Sequence, residues 1–354
     1  MYTAAPGPVG PLRAAIVGFG NAARFGHLPW FAATQNVNVV AIVEPSSTGR
    51  AIAAAAVPTA TVFASVDAMF GELDVDFIDV VSPPATHAHA VAAGVAAGSH
   101  VFCEKPFVMR RAELEILAEA AAHTPVVVEP CHNWLHSPAI RLALAHISGG
   151  ELGPPSFAAF SALRSRPAPG ADYGLPDWRD TDGTNGGILA DLGYHGMYLA
   201  IRVFGVPPGS VHVREVVYAA ARSPTPVVAN CRLDFGALGV FDLTLSWLAS
   251  RRETEFLVRC ERGSVSVTND CLTIESGDRV LFRQSFRGAE DSWHAAWTGQ
   301  SLDQFIAAIG TPERHGCLTD ASVFSVLMLE AALTSSRLRK PIRLDVPSGW
   351  RRCP

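Results

Sequence analysis

Arg13-Ala14-Ala15-Ile16-Val17-Gly18-Phe19-Gly20-Asn21-Ala22-Ala23 is an apolar run that ends in a glycine turn and opens onto a helical pattern. A strand before and a helix after is the setting in which G-x-G-x-x-A carries a physical meaning. Gly18 permits the tight turn, Gly20 lets the backbone approach a ligand, and Ala23 is small enough for helix and strand to pack closely. The helix N-terminus then offers free N–H groups and a positive dipole end, the features that hold a pyrophosphate. Gly18, Phe19, Gly20, Asn21 and Ala22 are therefore candidates for a dinucleotide cradle.

Outward from this turn the same rhythm repeats. Short apolar runs near 13–18, 38–44, 60–63, 76–81, 100–103 and 125–129 lack strict alternation, as strands buried on both faces of a parallel sheet should. Helical patterns lie between them near 21–34, 46–57, 65–73, 85–97 and 110–122. Ser46, Ser65 and Thr86 stand at N-cap positions, and Gly98 stands where a helix should end. Repeated strand and helix predict a doubly wound α/β domain over 13–130. Glu44 ends its second strand, where a carboxylate can accept both adenosine-ribose hydroxyls and would repel a 2′-phosphate. This favours NAD over NADP, with Arg50 and Ser46 as the competing features.

After Pro130 the rhythm changes. Eight β-rich runs follow, near 156–163, 211–221, 227–235, 239–248, 254–260, 264–268, 271–275 and 279–286, with helices near 137–148, 185–204, 299–310 and 319–337. Successive strands with few helices between them predict an α+β domain over 131–354, built on a large, mainly antiparallel open sheet. Helices enough for one face leave the other as an expected homo-oligomer surface, dimer or tetramer, because an exposed flat sheet is a liability. Residues 1–12, rich in Pro and Gly, read as a disordered lead-in.

The bulk composition narrows the partners. The chain has 354 residues, 49% hydrophobic and 17% charged, with a net charge of −5. No basic block marks a nucleic-acid surface, so a small-molecule partner is expected. The N-terminus lacks a secretory pattern and no apolar run reaches the ~18 residues that span a bilayer, which predicts a cytoplasmic protein without a membrane segment. Seven dispersed cysteines without a CxxC pair fit reduced thiols better than a disulfide framework or a zinc site. No His, Cys or carboxylate cluster shows metal-ligand spacing, so no metal is expected.

Three further stretches carry chemistry. Val80-Val81-Ser82-Pro83-Pro84-Ala85-Thr86-His87 precedes an Ala-rich helix, and Cys103-Glu104-Lys105-Pro106 follows the next strand. Downstream stand Asp177-Trp178-Arg179 and Gly186-Gly187-Ile188-Leu189-Ala190-Asp191-Leu192-Gly193-Tyr194-His195. In this order, with the glycine turn, they resemble the Gfo/Idh/MocA family (glucose–fructose oxidoreductase, inositol dehydrogenase and relatives) from residue 13 to about 345. The resemblance implies an NAD-dependent oxidoreductase acting on a sugar, aminosugar or cyclitol. It implies that Lys105, with Glu104 before it, sits beside the nicotinamide, and that Asp191 and His195 complete the catalytic site from the other domain. Ser82, Pro83 and His87 match a loop on the nicotinamide-ribose side, Trp178 and Arg179 a pair that reaches the cofactor, and Asn133 a polar position after the last strand. Pro84 stands where the family often has asparagine, Pro45 follows the acid of the second strand, and Gly196-Met197-Tyr198 replaces a further aspartate. These departures bear on the substrate more than on the reaction.

The residues support such chemistry on their own. Oxidising an alcohol needs a base, a polariser and orientation around the hydride acceptor. His195 is the natural base near neutral pH. Asp191, four residues earlier on a helical pattern, shares its face and can orient the imidazole or hold the substrate with it. Lys105 can polarise the oxygen as charge develops. His132, His136 and His294 are further substrate-site candidates. Arg164 to Gly183 reads as a long loop whose acids, Asp172, Asp177, Asp180 and Asp182, could meet an amino-substituted sugar or simply face solvent. The alternatives are oxidation followed by elimination, as in NAD-dependent glycosidases on this fold, and a sensor that binds dinucleotide without turnover. A sensor has no use for Lys105, Asp191 and His195 together.

Overall fold

A computed structural model describes residues 10–171, 173, 178–179, 186–218, 225–286, 293–346 and 353. Six parallel strands form the first sheet: β1 (Leu12–Val17), β2 (Val37–Val43), β3 (Thr61–Phe63), β4 (Phe77–Val80), β5 (His100–Cys103) and β6 (Val128–Pro130). Their order is β3-β2-β1-β4-β5-β6. The direction of winding reverses beside β1, and in such sheets the crevice at the carboxyl ends of the strands takes the ligand. The crossover helices are α1 (Leu28–Ala33), which continues a π-helical turn over Ala22–His27, α2 (Ser47–Ala56), α3 (Val66–Phe70), α4 (His87–Ala96) and α5 (Arg111–Ala122). Ser46 and Ser65 cap α2 and α3 by accepting from Gly49 and Ala68 N–H. Thr86 does not cap α4: its hydroxyl donates to the Pro83 carbonyl at 2.8 Å and lies 2.7 Å from the Ser82 hydroxyl, so it braces the loop after β4 instead.

The second sheet has nine strands: β7 (Pro155–Leu163), β8 (Ser210–Tyr218), β9 (Pro226–Asp234), β10 (Val240–Ser246), β11 (Glu253–Cys260), β12 (Gly263–Thr268), β13 (Cys271–Ser276), β14 (Arg279–Ser285) and β15 (Ile342–Arg343). They run in the order β14-β13-β12-β11-β7-β10-β9-β8-β15. All neighbours are antiparallel except β7 and β10. Alternation decides the buried face: Ala158, Phe160 and Ala162 of β7 and Phe241, Leu243 and Leu245 of β10 point into the core. There α6 (Pro138–Ser148), α7 (Tyr194–Phe204) and α9 (Asp320–Leu338) cover them. On the other face Arg232 pairs with Asp242 at 2.7 Å and Arg259 lies over the Phe157 ring.

Three findings depart from the sequence reading. Helix α8 (Ala295–Ile309) does not join the second sheet but crosses back to the first, setting Leu302, Phe305 and Ala308 among Phe31, Phe77 and Phe102. The core of the N-terminal unit therefore does not close with residue 130. Cys317 and Cys353 form a disulfide with Cα atoms 5.2 Å apart, where reduced thiols were expected throughout. Composition cannot reveal this pair, because 36 residues separate it and folding brings it together. Helix α9 is long and apolar enough to cross a membrane by length and composition, yet most of it is buried inside the fold as a core helix.

Candidate active site

The glycine turn is shaped by its neighbours. Gly18 has φ +95°, and a Cβ there would stand 2.7 Å from the Ser82 Cα, so the first and fourth strand ends touch backbone to backbone. A Cβ on Gly20 would meet nothing within 4 Å, so this backbone faces open space, as a cradle for a bulky anion must. That space belongs to a cleft of about 370 Å³ that Gly18, Gly20, Ser82, Pro83, Glu104 and Lys105 line from the first unit. Phe19, Asn21, Ala22 and Glu44 line it as well. Chain from the second unit closes the other side: Asn21 Nδ2 donates to the Gly170 carbonyl at 2.9 Å, and the Tyr173 hydroxyl donates to the Phe19 carbonyl. Trp178 and Arg179 border the same cleft, with the guanidinium 4.2 Å from the indole centre.

Glu44 is 5% exposed, and its carboxylate accepts the Phe19 N–H at 3.0 Å and the Ser46 N–H at 2.8 Å. It thereby ties the glycine turn to the end of β2 while bordering the cleft. Arg50, the possible phosphate ligand, donates to the carbonyls of Glu44 and Pro45 at 3.1 and 2.7 Å. His87 departs from its expected place on the cofactor side. It is fully buried, with Nδ1 2.8 Å from the Pro106 carbonyl and Nε2 2.8 Å from the Ser82 carbonyl, and it braces two loops rather than lining the cleft.

One end of the cleft is formed by Lys105. Lys105 Nζ is 3.0 Å from Asp191 Oδ1 and donates to the Asp191 carbonyl at 2.9 Å. Arg179 Nε reaches Asp191 Oδ2 at 3.3 Å. Burial works against the Asp191 charge, but Arg179 and Lys105 together hold the carboxyl well below the usual carboxylate range. Lys105 and Arg179 thus converge on one buried carboxylate. Asp191 lies in a π-helical turn, Leu189–Gly193, which runs directly into α7; such turns recur where a helix must present a functional side chain. Gly196 lets α7 press onto the sheet, since a Cβ there would be 2.2 Å from Leu243.

His195 and Asp191 come together at this helix end, but no hydrogen bond joins them, so of the two roles open to Asp191 direct orientation of the ring is not seen. The ring partner of His195 is Tyr198: Nδ1 lies 2.8 Å from the hydroxyl, whose oxygen also accepts the Trp134 N–H at 3.2 Å. The sequence offered a signal for this contact, because the two residues are three apart on one helix. Nε2 has no partner among the described residues. Burial, then the nearby Lys105 cation, depress the His195 pKa well below its ordinary value, so the ring is neutral at neutral pH. Trp134 packs 5.3 Å from His195 and 5.7 Å from His294, which stacks on Trp297 at 4.1 Å. His132 is buried 4.4 Å from the Tyr198 ring, and burial lowers its pKa to about 3. Asn133 is buried too, with Nδ2 3.4 Å from Thr298 Oγ1. His136 is partly buried in the turn before α6. Asp172, Asp177, Asp180 and Asp182 lie outside the described residues.

One further group went unnoticed in the sequence. His27, Asp79 and Glu104 join beneath Lys105, with His27 Nδ1 2.8 Å from Asp79 Oδ2 and Nε2 3.3 Å from Glu104 Oε1. His27, Glu104 and Cys131 also bring ligand-type atoms within 4.8 Å of one another. Both ring nitrogens already face carboxylates, and burial, then Glu104, push the Cys131 thiol well up, so the donor set suits a hydrogen-bonded cluster better than a metal.

Comparison with known proteins bears on the family and the fold. Residues 12–132 match the model of an oxidoreductase family with an NAD-binding Rossmann fold, and residues 140–266 match the GFO/IDH/MocA C-terminal domain. The chain is 28% identical to the myo-inositol 2-dehydrogenase of Thermotoga maritima over 297 residues, 78% of this chain and 82% of that protein. It is 27% identical to the D-glucoside 3-dehydrogenase of Escherichia coli over 199 residues. That match covers 56% of this chain and 55% of the relative, and the chain spans about half the length of several curated relatives that it matches. Among solved structures, a levoglucosan dehydrogenase in complex with NADH and L-sorbose superposes with a TM-score of 0.81 at 17% identity, covering 95% of this chain and 99% of that one.

Proposed function

The chain belongs to the Gfo/Idh/MocA oxidoreductase family, and from that premise we propose that it oxidises a CH–OH group of a sugar, aminosugar or cyclitol, with NAD preferred to NADP. The observation that carries this reading is the pairing of Lys105 with Asp191 beside a neutral His195, at the end of a cleft that begins on the glycine turn. Bound in that cleft, the nicotinamide would supply the hydride acceptor. Gly18 to Ala22 would hold its pyrophosphate, Ser82, Pro83 and Glu104 would flank its ribose, and Trp178 and Arg179 would cover it. Lys105 presents a cation to the substrate oxygen, and Asp191 fixes its direction by accepting from Nζ at both carboxylate and carbonyl. The Lys105 ammonium beside that oxygen favours the alkoxide that forms as the hydroxyl proton departs. His195 takes that proton on Nε2, the nitrogen that Tyr198 leaves open.

Support for an NAD preference comes from Glu44, a buried carboxylate bordering the cleft that would repel a 2′-phosphate, and from Arg50, whose guanidinium is engaged by backbone carbonyls. The proposed enzyme is a cytoplasmic homo-oligomer, dimer or tetramer, with the strand face away from α6, α7 and α9 as the subunit contact. A monomer in light scattering at micromolar concentration would refute that contact. The central test is a panel of sugars, aminosugars and cyclitols incubated with NAD or NADP while the absorbance of reduced nicotinamide is followed. Stoichiometric NADH with at least one of them is expected. Cleavage of a glycoside without net NADH would replace this reading by oxidation and elimination, and nucleotide binding without turnover of any member would replace it by sensing.

A further inference from the structure

Ionic groups are rare in the interior of a parallel sheet, because taking an ion out of water costs several kcal/mol. Yet His27 is 1% exposed and Asp79 0%, close to the apolar side chain of Phe102. His27 ends the π-helical turn behind the glycine loop, Asp79 lies on β4, and Glu104 follows β5. The cluster thus spans the three elements that converge at the carboxyl end of the sheet. Its outer member reaches the cleft: Glu104 Oε2 accepts the Lys105 N–H at 3.0 Å, while Oε1 faces His27.

Glu104 and Asp191 are rivals for the same ammonium group. Glu104 is the nearer in sequence, yet Lys105 Nζ bonds Asp191. What keeps the Glu104 carboxylate turned away is the ring of His27 on one oxygen and the Lys105 amide on the other. We propose that His27, anchored by Asp79, is a positioning residue that holds Glu104 in place at the nicotinamide end of the cleft and so leaves Lys105 to Asp191. The groups facing His27 fit that role. Burial opposes a charge on the ring, but Asp79 first and Glu104 second overcome it and raise its pKa to about 10. Burial pushes Asp79 up, and it pushes Glu104 up too, but there His27 and Lys105 prevail and hold the carboxyl low. The Cys131 thiol, also against Glu104, is pushed up and stays protonated. A ring protonated in this way is a double donor across the neutral range, and a neutral ring could serve only one of its two carboxylates.

The inference rests on the cofactor reading, which the wild-type protein tests by itself. Ring-nitrogen NMR of the nucleotide-free protein should find His27 protonated on both nitrogens at pH 8, losing the proton near pH 10. Titration of His27 below pH 7 would overturn the proposal. NADH titration by fluorescence should show His27→Leu binding about tenfold more weakly, with His27→Gln, which can still donate to Glu104, recovering most of the loss. NADH affinity of the wild type should fall as the pH approaches about 10, and that of His27→Gln should not follow. Melting temperature is the control: a variant that melts lower while binding NADH as tightly as wild type would reduce His27 to a stability role and defeat the proposal. If His27→Leu fails to fold, the Gln variant and the wild-type NMR titration still decide. A wild type that binds neither NADH nor NADPH would overturn the cofactor reading and this inference together.

Discussion

The two sides of the cleft do comparable work with different materials. On the first side the contacts are made by backbone at strand ends: Gly18 against Ser82, Gly20 toward open space, and a carboxylate, Glu44, that bonds two amides. On the second side the contacts are made by side chains at one helix end: Asp191 is held by Lys105 of the first unit, and His195 by Tyr198 one turn along its own helix, whose hydroxyl also accepts the Trp134 N–H. A backbone cradle suits a cofactor whose pyrophosphate is invariant; side chains can be exchanged, and so suit a substrate that differs among relatives. The division predicts that damage on one side changes nucleotide affinity and damage on the other changes turnover.

The strongest test of that division is His195→Ala. Loss of a positioned acid–base group should lower kcat by about 10²–10⁴-fold, with NAD affinity nearly intact. Steady-state rates beside fluorescence titration check it, and an equal loss in both would erase the distinction. Glu44→Ala is the mirror experiment. A hydrogen bond to a charged group is worth about 1.5–3 kcal/mol, so NAD affinity should fall by about tenfold to a hundredfold, with kcat at saturating cofactor little changed. Tyr198→Phe removes the hydroxyl that holds His195 Nδ1 and leaves the ring packing in place. One neutral hydrogen bond, about 1 kcal/mol, predicts a loss in kcat of roughly five- to tenfold and a shifted pH–rate profile. The smallest effect concerns neither side: thiol labelling of the unfolded chain should rise by two groups on reduction, Cys317 and Cys353. A constant count would leave all seven cysteines reduced, as their dispersal first suggested.

Much of this was legible in the residues, and for a uniform reason. Strands such as β1 and β4 are short, predominantly apolar runs without strict alternation, bounded by turn residues, so local sequence alone marks them. Lys105, Asp191 and His195, which folding brings together, stand in motifs that lie in fixed order along the chain. What stayed hidden depends on distance. Nothing near His27 announces Asp79 and Glu104, which folding brings from 52 and 77 residues away. His87 looked like a cofactor contact, but its neighbours are two carbonyls that only the folded loops supply. The π-helical turn at Asp191 was hidden as well, since its sequence has the pattern of an ordinary helix.

Helix α8 has a consequence for the order in which the protein can be made. Phe305 packs 5.4 Å from both Phe77 and Phe102, yet it is translated about two hundred residues after them. During synthesis the first sheet must therefore wait, with one apolar patch uncovered, while the whole second sheet emerges. Chains released before residue 295 expose that patch, and transiently exposed apolar surface is what drives aggregation and recruits chaperones. The crossing of one helix thus ties the maturation of the first sheet's core to the synthesis of the chain beyond the second sheet's main strands.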